Sequence, residues 1–278
     1  MTSIPAPAHL PAGLSFIGGG NMARSLIAGL LGSGMDAAAI EVVEPQPATR
    51  QALQQEYGVQ VAESVASAAL AHPVLVLAVK PQVMAAVCAE LAPRLAPGTL
   101  VLSIAAGITG TALRRWLGDN AVLVRAMPNT PALLGAGMTG LHAAAGVGAD
   151  ARQTAQAILA GTGQTRWVDD EALMDAVTAV SGSGPAYVFA FAEAMEDAAR
   201  AQGLDEDAAR QLVVQTVLGA ARMLAESGQS AAALRKAVTS PNGTTQAALE
   251  TLAAGGFHEV IGNAVAAAAR RGRELAAG

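Results

Sequence analysis

Aromatic residues make up only 3% of this chain, lysine occurs twice, and cysteine once. Each shortage excludes something. Without aromatics, the interior of a 52% apolar sequence must be built from Ala, Val, Leu, Ile and Met. Alanine-rich helices approach closely, but each buries little area alone, so several must share one interior. The single Cys88 excludes an internal disulfide framework and fits a reducing cytosol; on a helix it reads as a small core residue. His9, His72, His142 and His258 are dispersed without ligand spacing, so no metal site is expected. No serine–histidine pairing is suggested either.

Charge is also scarce. The net charge is −5 and the 17 basic residues are scattered, so the basic patch of a nucleic-acid binder is missing. Long uncharged stretches exist, at 126–149 and 176–192, but both are interrupted. Pro128, Pro131, Gly135, Gly137 and Gly140 break the first, and Ser181-Gly182-Ser183-Gly184-Pro185 the second. Neither offers about 20 uninterrupted apolar residues, so no membrane partner is expected and the apolar excess is assigned to a subunit interface. Residues 1–11 are rich in Pro and Ala, with no basic residue before Arg24. They read as a short flexible leader without the charged start of a secretion signal, which places the chain in the cytoplasm.

The 278 residues suffice for two domains. Apolar runs at 14–18, 40–44, 74–79, 100–104 and 121–127 read as strands, with helical patterns at 21–31 and 47–57. That alternation predicts an α/β domain, a parallel sheet with helices on both sides, over residues 12–168. Beyond Val168 the strand signals stop, and 186–201, 205–226, 245–254 and 258–277 read as helices, making 169–278 an all-helical domain. Asp205 is the expected N-cap of the second of these. The segment 212–220 is apolar on too many faces for a monomer's surface helix.

Six constellations carry chemistry. Gly18-Gly19-Gly20-Asn21-Met22-Ala23 has the G-x-G-x-x-A form between a strand and a helix. Gly18 permits the tight turn, Gly20 lets a pyrophosphate approach backbone, and Ala23 keeps helix and strand close. Glu44 ends the second strand, where a carboxylate accepts from the ribose hydroxyls of NAD and opposes a 2′-phosphate; Arg50 nearby weakens that opposition. Lys80-Pro81 and Ser103-Ile104-Ala105-Ala106-Gly107 close buried strands, at the edge where open α/β sheets bind ligands. Arg125-Ala126-Met127-Pro128-Asn129-Thr130-Pro131 reads as a stiff loop, suited to holding a cofactor or simply a structural turn. Ser181–Tyr187 marks the domain junction, with glycines that permit close approach. Finally, Thr239-Ser240-Pro241-Asn242-Gly243-Thr244-Thr245 brings hydroxyls and free N–H groups to a helix start, a ready carboxylate site or a plain capped helix.

Taken together, in order and spacing from about residue 14 to 275, these segments resemble the pyrroline-5-carboxylate reductase family, most specifically at 239–245. The resemblance implies reduction of a small cyclic imine to L-proline with NADPH or NADH, the last step of proline biosynthesis. It implies a Rossmann-type domain, a helical dimerisation domain, and a homodimer that often builds decamers. By position, Gly19, Gly20, Asn21, Met22, Lys80, Pro81 and Ala106 would touch cofactor, joining Gly18, Glu44 and Asn129. Ser240, Gly243, Thr244 and Thr245 would hold the substrate, with the Thr245 hydroxyl as hydrogen-bond partner of the imine nitrogen. The chain departs from the family pattern twice. Asn242 replaces the first glycine of the usual Ser-Pro-Gly-Gly, and Glu44 stands where many relatives have a small hydroxyl residue that accepts the NADPH phosphate. The departure at Glu44 favours NADH.

Two other readings fit parts of the sequence. A 3-hydroxyacid dehydrogenase shares the two-domain plan but calls for a general acid or base, often a lysine, in the helical domain. Lys236 is the only lysine there. A non-catalytic nucleotide sensor would keep the glycine loop without needing Ser240 and Thr245 together.

Overall fold

The computed structural model describes residues 9–277. The leader expected over 1–11 therefore lies mostly outside the described residues, but Leu10 packs on the core. The chain forms two compact units, one running to Ser183 and resuming at Ala268, the other comprising Gly184–Ala267.

The first unit runs β1 (Leu14–Ile17), α1 (Asn21–Gly32), β2 (Ile40–Val43), α2 (Pro47–Tyr57), β3 (Gln60–Ala62), β4 (Val74–Leu77), α3 (Pro81–Leu91), β5 (Leu100–Ser103), α4 (Gly110–Leu117), β6 (Val122–Met127), β7 (Gly137–Ala143), α5 (Ala149–Ala160), β8 (Gly163–Trp167) and α6 (Leu173–Val177). The eight strands form one sheet in the order β3-β2-β1-β4-β5-β6-β7-β8. All neighbours are parallel except β6 and β7. The strand order reverses between β1 and β4, so the ligand-binding switch point of such sheets lies at their carboxyl ends.

Strand β4 reads Val-Leu-Val-Leu and is buried along its length because both faces are covered. Val74 and Val76 face one apolar layer with Phe16, Leu26 and Ile158; Leu75 and Leu77 face another with Met84, Cys88 and Leu113. Each such side chain contributes about 1.5–3 kcal/mol through burial. Cys88 is fully buried, and desolvation pushes its thiol up to about 11, so it serves as a core residue.

The strands β3, β7 and β8 were not legible as strands. Strand β7 carries Gly137 and Gly140 within Gly-Met-Thr-Gly-Leu-His-Ala, a pattern that reads as loop. A side chain at 140 would collide with Val177, so this glycine lets α6 and the following turn lie on the strand. That packing also extends the sheet unit to Ser183, whereas the end of the strand signals placed the division at 168. Strand β8, Gly-Gln-Thr-Arg-Trp, is the half-exposed edge, and Arg152 stacks over its Trp167 at 5.0 Å.

The second unit contains α7 (Gly184–Ala201), α8 (Glu206–Glu226), α9 (Ala231–Ala237), α10 (Thr244–Ala254) and the start of α11 (Phe257–Ala277). Asp205 caps α8 by accepting from Ala208 N–H at 2.8 Å. Among the described residues of this unit, Ala209, Val213 and Leu234 are the buried apolar side chains, while Phe189 and Val260 stay more than half exposed. A unit of this size with so thin an interior is the counterpart of an interface.

One buried carboxylate organises the sheet edge. Glu41 accepts from Ser15 Oγ (2.9 Å), Ala69 N–H (2.7 Å) and Leu70 N–H (3.0 Å), which secures Leu70 in a left-handed conformation at φ +48°. Glu41→Ala leaves these donors unpaired, and chemical denaturation is expected to show a loss of about 1–3 kcal/mol. An unmoved midpoint would mean that water replaces the carboxylate.

Candidate active site

The turn from β1 into α1 is dictated by crowding. Gly18 adopts φ +99°, and a Cβ there would lie 2.7 Å from the Ala78 carbonyl oxygen. Its N–H donates to Val43 O at 2.8 Å, tying the turn to the end of β2. Gly20 is the N-cap of α1 and faces open space, with nothing within 4 Å of where its Cβ would sit. No side chain caps α1 and no acidic residue occupies its first turn, so the N–H groups from Asn21 and Met22 onward are available to an anion. Ala23 is buried, as close helix–strand packing requires. This cradle fits a pyrophosphate.

The Glu44 carboxylate turns toward the same loop. Oε2 accepts from Gly19 N–H and Oε1 from Gln46 N–H, each at 2.9 Å. Each oxygen keeps lone pairs for a ribose hydroxyl. Arg50 is already engaged, donating to the carbonyls of Glu44 (2.7 Å) and Pro45 (2.8 Å), with Glu63 at 3.9 Å.

Lys80 is exposed and precedes α3, whose first residue is Pro81. Pro81 and Ala106 line one groove of about 690 Å³ with Gly107, Thr109 and Trp116. Ser103, the last residue of β5, has a buried hydroxyl oxygen without a partner. Asn129 is nearly buried and braces its loop: Oδ1 accepts from Met138 N–H and Nδ2 donates to Ser181 O, both at 2.9 Å. Its amide is thus partly committed to the protein.

Sequence reasoning missed the partner of Arg125. This buried arginine interrupts the apolar run Val-Leu-Val-Arg-Ala-Met, a signal that a carboxylate must lie nearby. Glu171 supplies it, 2.6 Å from Arg125 Nη1, and accepts at 2.6 Å from Gly110 N–H at the start of α4. Burial opposes ionisation of Glu171, but the Gly110 N–H, Arg125 and nearby His142 together hold its carboxyl below the usual glutamate range.

In the helical unit, residues 240–243 make a tight turn closed by Gly243 N–H to Ser240 O at 3.1 Å. Pro241 in second place and Asn242 at φ +58° in third have the signature of a type II turn, a place that asparagine tolerates. A side chain at 243 would strike the Ser240 hydroxyl as it stands and force it to turn away, so glycine there leaves Ser240 Oγ in place. Gly243 then caps α10 with backbone only, leaving the first N–H groups of the helix unpaired. Thr239 and Thr251 bond back to Arg235 O (2.6 Å) and Ala247 O (3.0 Å). The hydroxyls of Ser240, Thr244 and Thr245 make no such bond. The structure thus gathers Gly18 to Met22 with Glu44 at the switch point, Pro81 with Ala106 in the groove, and Ser240, Gly243, Thr244 and Thr245 at one helix entrance.

Comparison with known proteins is decisive. Residues 171–275 match the family profile described as pyrroline-5-carboxylate reductase dimerisation, and 13–107 match NADP oxidoreductase, coenzyme F420-dependent. The pyrroline-5-carboxylate reductase of Pseudomonas aeruginosa is 49% identical over 263 residues, covering 95% of this chain and 96% of its own. This chain belongs to the pyrroline-5-carboxylate reductase family. The solved structure of a pyrroline-5-carboxylate reductase from Coxiella burnetii superposes with a TM-score of 0.89 at 42% identity, over 94% of this chain and 97% of that one. The Plasmodium falciparum enzyme, solved with NADP bound, gives 0.84 at 28% identity, over 95% and 98%. The reductase therefore has a nicotinamide-dependent sheet domain and a dimerisation region, and the exposed apolar helices belong to a homo-oligomer. Among the described residues no helix is long and apolar enough to cross a membrane.

The pairing of Glu171 gives a pH signature. Its carboxyl titrates lower when folded than when unfolded, so it adds stability at neutral pH that disappears as pH falls through the folded value. The melting-temperature gap between wild type and Glu171→Gln should therefore be widest near pH 7 and close in acid. A gap that is constant with pH would remove the electrostatic role.

Proposed function

We infer that this protein reduces 1-pyrroline-5-carboxylate to L-proline, the last step of proline biosynthesis, in the cytoplasm, with the helical regions of two copies forming a homodimer that builds further into a decamer. The carrying observation is the uncapped start of α10, with free hydroxyls on Ser240, Thr244 and Thr245. It is found in a chain whose relatives are named for this reaction over 95% of its length.

When bound, the nicotinamide supplies the hydride that makes the new C–H bond at the imine carbon. The protein supplies orientation and electrostatics. Gly20, Asn21 and Met22 offer backbone N–H groups to the pyrophosphate at α1, beside Gly19, whose own N–H is held by Glu44. Pro81 and Ala106 line the groove that suits the far end of the cofactor, and the exposed Lys80 directly precedes Pro81. The N–H groups at the start of α10 and the Ser240 hydroxyl hold the substrate carboxylate, as the positive end of a helix favours. Gly243 keeps that turn tight, and the Thr245 hydroxyl hydrogen-bonds the imine nitrogen, which is most electrophilic at carbon when protonated. No strong general acid is required, which separates this chemistry from a hydroxyacid dehydrogenase.

Glu44 leads us to propose NADH as the preferred cofactor. A 2′-phosphate charge about 4 Å from this carboxylate would cost up to about 4 kcal/mol at a surface-like dielectric. Arg50, held by two carbonyls, offers little relief.

Two kinetic experiments test these roles. Thr245→Ala should lower turnover of the imine at least tenfold while sparing cofactor binding; unaltered kinetics would dismiss the hydroxyl. Glu44→Ser should move the NADH/NADPH ratio of kcat/KM several-fold toward NADPH, whereas a fixed ratio would show that Glu44 does not meet the ribose.

A further inference from the structure

The turn at residues 240–243 is supported by contacts that the proposed chemistry does not use. Asn242 has a left-handed backbone at φ +58°, which asparagine tolerates but does not prefer. Its N–H donates to Gln246 Oε1 at 2.8 Å, inside the first turn of α10. The opposite end of the same amide, Gln246 Nε2, donates to Glu250 Oε1 at 2.8 Å, one helical turn further on. Only this orientation of the glutamine amide satisfies both partners, since a backbone N–H needs an acceptor and a carboxylate needs a donor.

The relay has a physical purpose. A glutamine side chain on a helix surface samples several rotamers, and freezing one for a single hydrogen bond costs conformational entropy. Glu250 anchors the far end, so the near end stays where Asn242 needs it. With that acceptor gone, Asn242 is freer to relax toward a right-handed conformation. Gly243, Thr244 and Thr245 follow it directly in the chain, so their N–H groups would shift with it.

We propose that Gln246, anchored by Glu250, is a positioning residue that holds the 240–245 turn in the shape that receives the substrate's carboxylate. It touches neither substrate nor cofactor and acts through Asn242. The proposal rests on the reductase reading above, and its effect belongs in substrate binding, because the turn carries the carboxylate site and not the cofactor cradle.

The test is steady-state kinetics on the full-length protein with 1-pyrroline-5-carboxylate and its nicotinamide cofactor. Gln246→Met keeps the length and packing of the side chain but has no strong acceptor; Gln246→Ala removes both. The KM for the imine should rise about fivefold in each, the loss of one net hydrogen bond, with kcat and the cofactor KM within twofold of wild type. Glu250→Ala leaves Gln246 in place but frees its far end, and should raise the imine KM by about twofold. That variant also covers the case in which a Gln246 substitution fails to fold. An unchanged imine KM in Gln246→Met, or a rise in Gln246→Ala that Gln246→Met restores, would overturn the proposal while wild-type turnover keeps the reductase reading intact. Wild-type protein without imine turnover would overturn that reading, and the proposal with it.

Discussion

Everything at the sheet's carboxyl edge depends on the closeness of Gly18 to the Ala78 carbonyl. Three parallel strands end together there, and the chain leaving β1 must pass between the ends of β2 and β4. Only a residue without a side chain and with positive φ can do so. Once it does, the direction of α1 is set, its first N–H groups face outward, and Gly19 comes within hydrogen-bond reach of Glu44. A steric requirement thus becomes an anion site with a carboxylate at its flank.

How much of this was legible in the sequence depended on whether a feature was local. Strands β1, β2, β4, β5 and β6 were visible because burial on both faces demands unbroken apolar runs. The glycine turn, Glu44 and the Asp205 cap were visible because each follows from the conformational or hydrogen-bonding habits of one residue. Strand β7 was hidden because its glycines answer to residues remote in sequence, Gly137 to the Thr162 carbonyl and Gly140 to Val177, 37 positions further on. Glu171 was hidden for the same reason: its partners Gly110 and Arg125 are 61 and 46 residues away. Arg125 announced that it needed a partner but not which one.

The hydroxyls at the helix entrance show how a site differs from a cap. Thr239 and Thr251 bond to carbonyls four residues back, as helix threonines ordinarily do. Ser240, Thr244 and Thr245, between them, do not. Glycine at the cap position withholds the side chain that would have satisfied the first N–H groups, so donors and hydroxyls accumulate at one spot. Nothing in the one-dimensional pattern separates that from an ordinary helix start; the distinction lies in which bonds are left unmade.

The distribution of indoles has a practical side. Both tryptophans, Trp116 on α4 and Trp167 on β8, lie in the sheet unit, each with an arginine over its ring. Their emission consequently reports on that unit alone, while far-ultraviolet circular dichroism draws heavily on the helices of the other. Recording both signals during the same melt distinguishes concerted loss of the whole subunit from a stepwise loss in which one half lets go first.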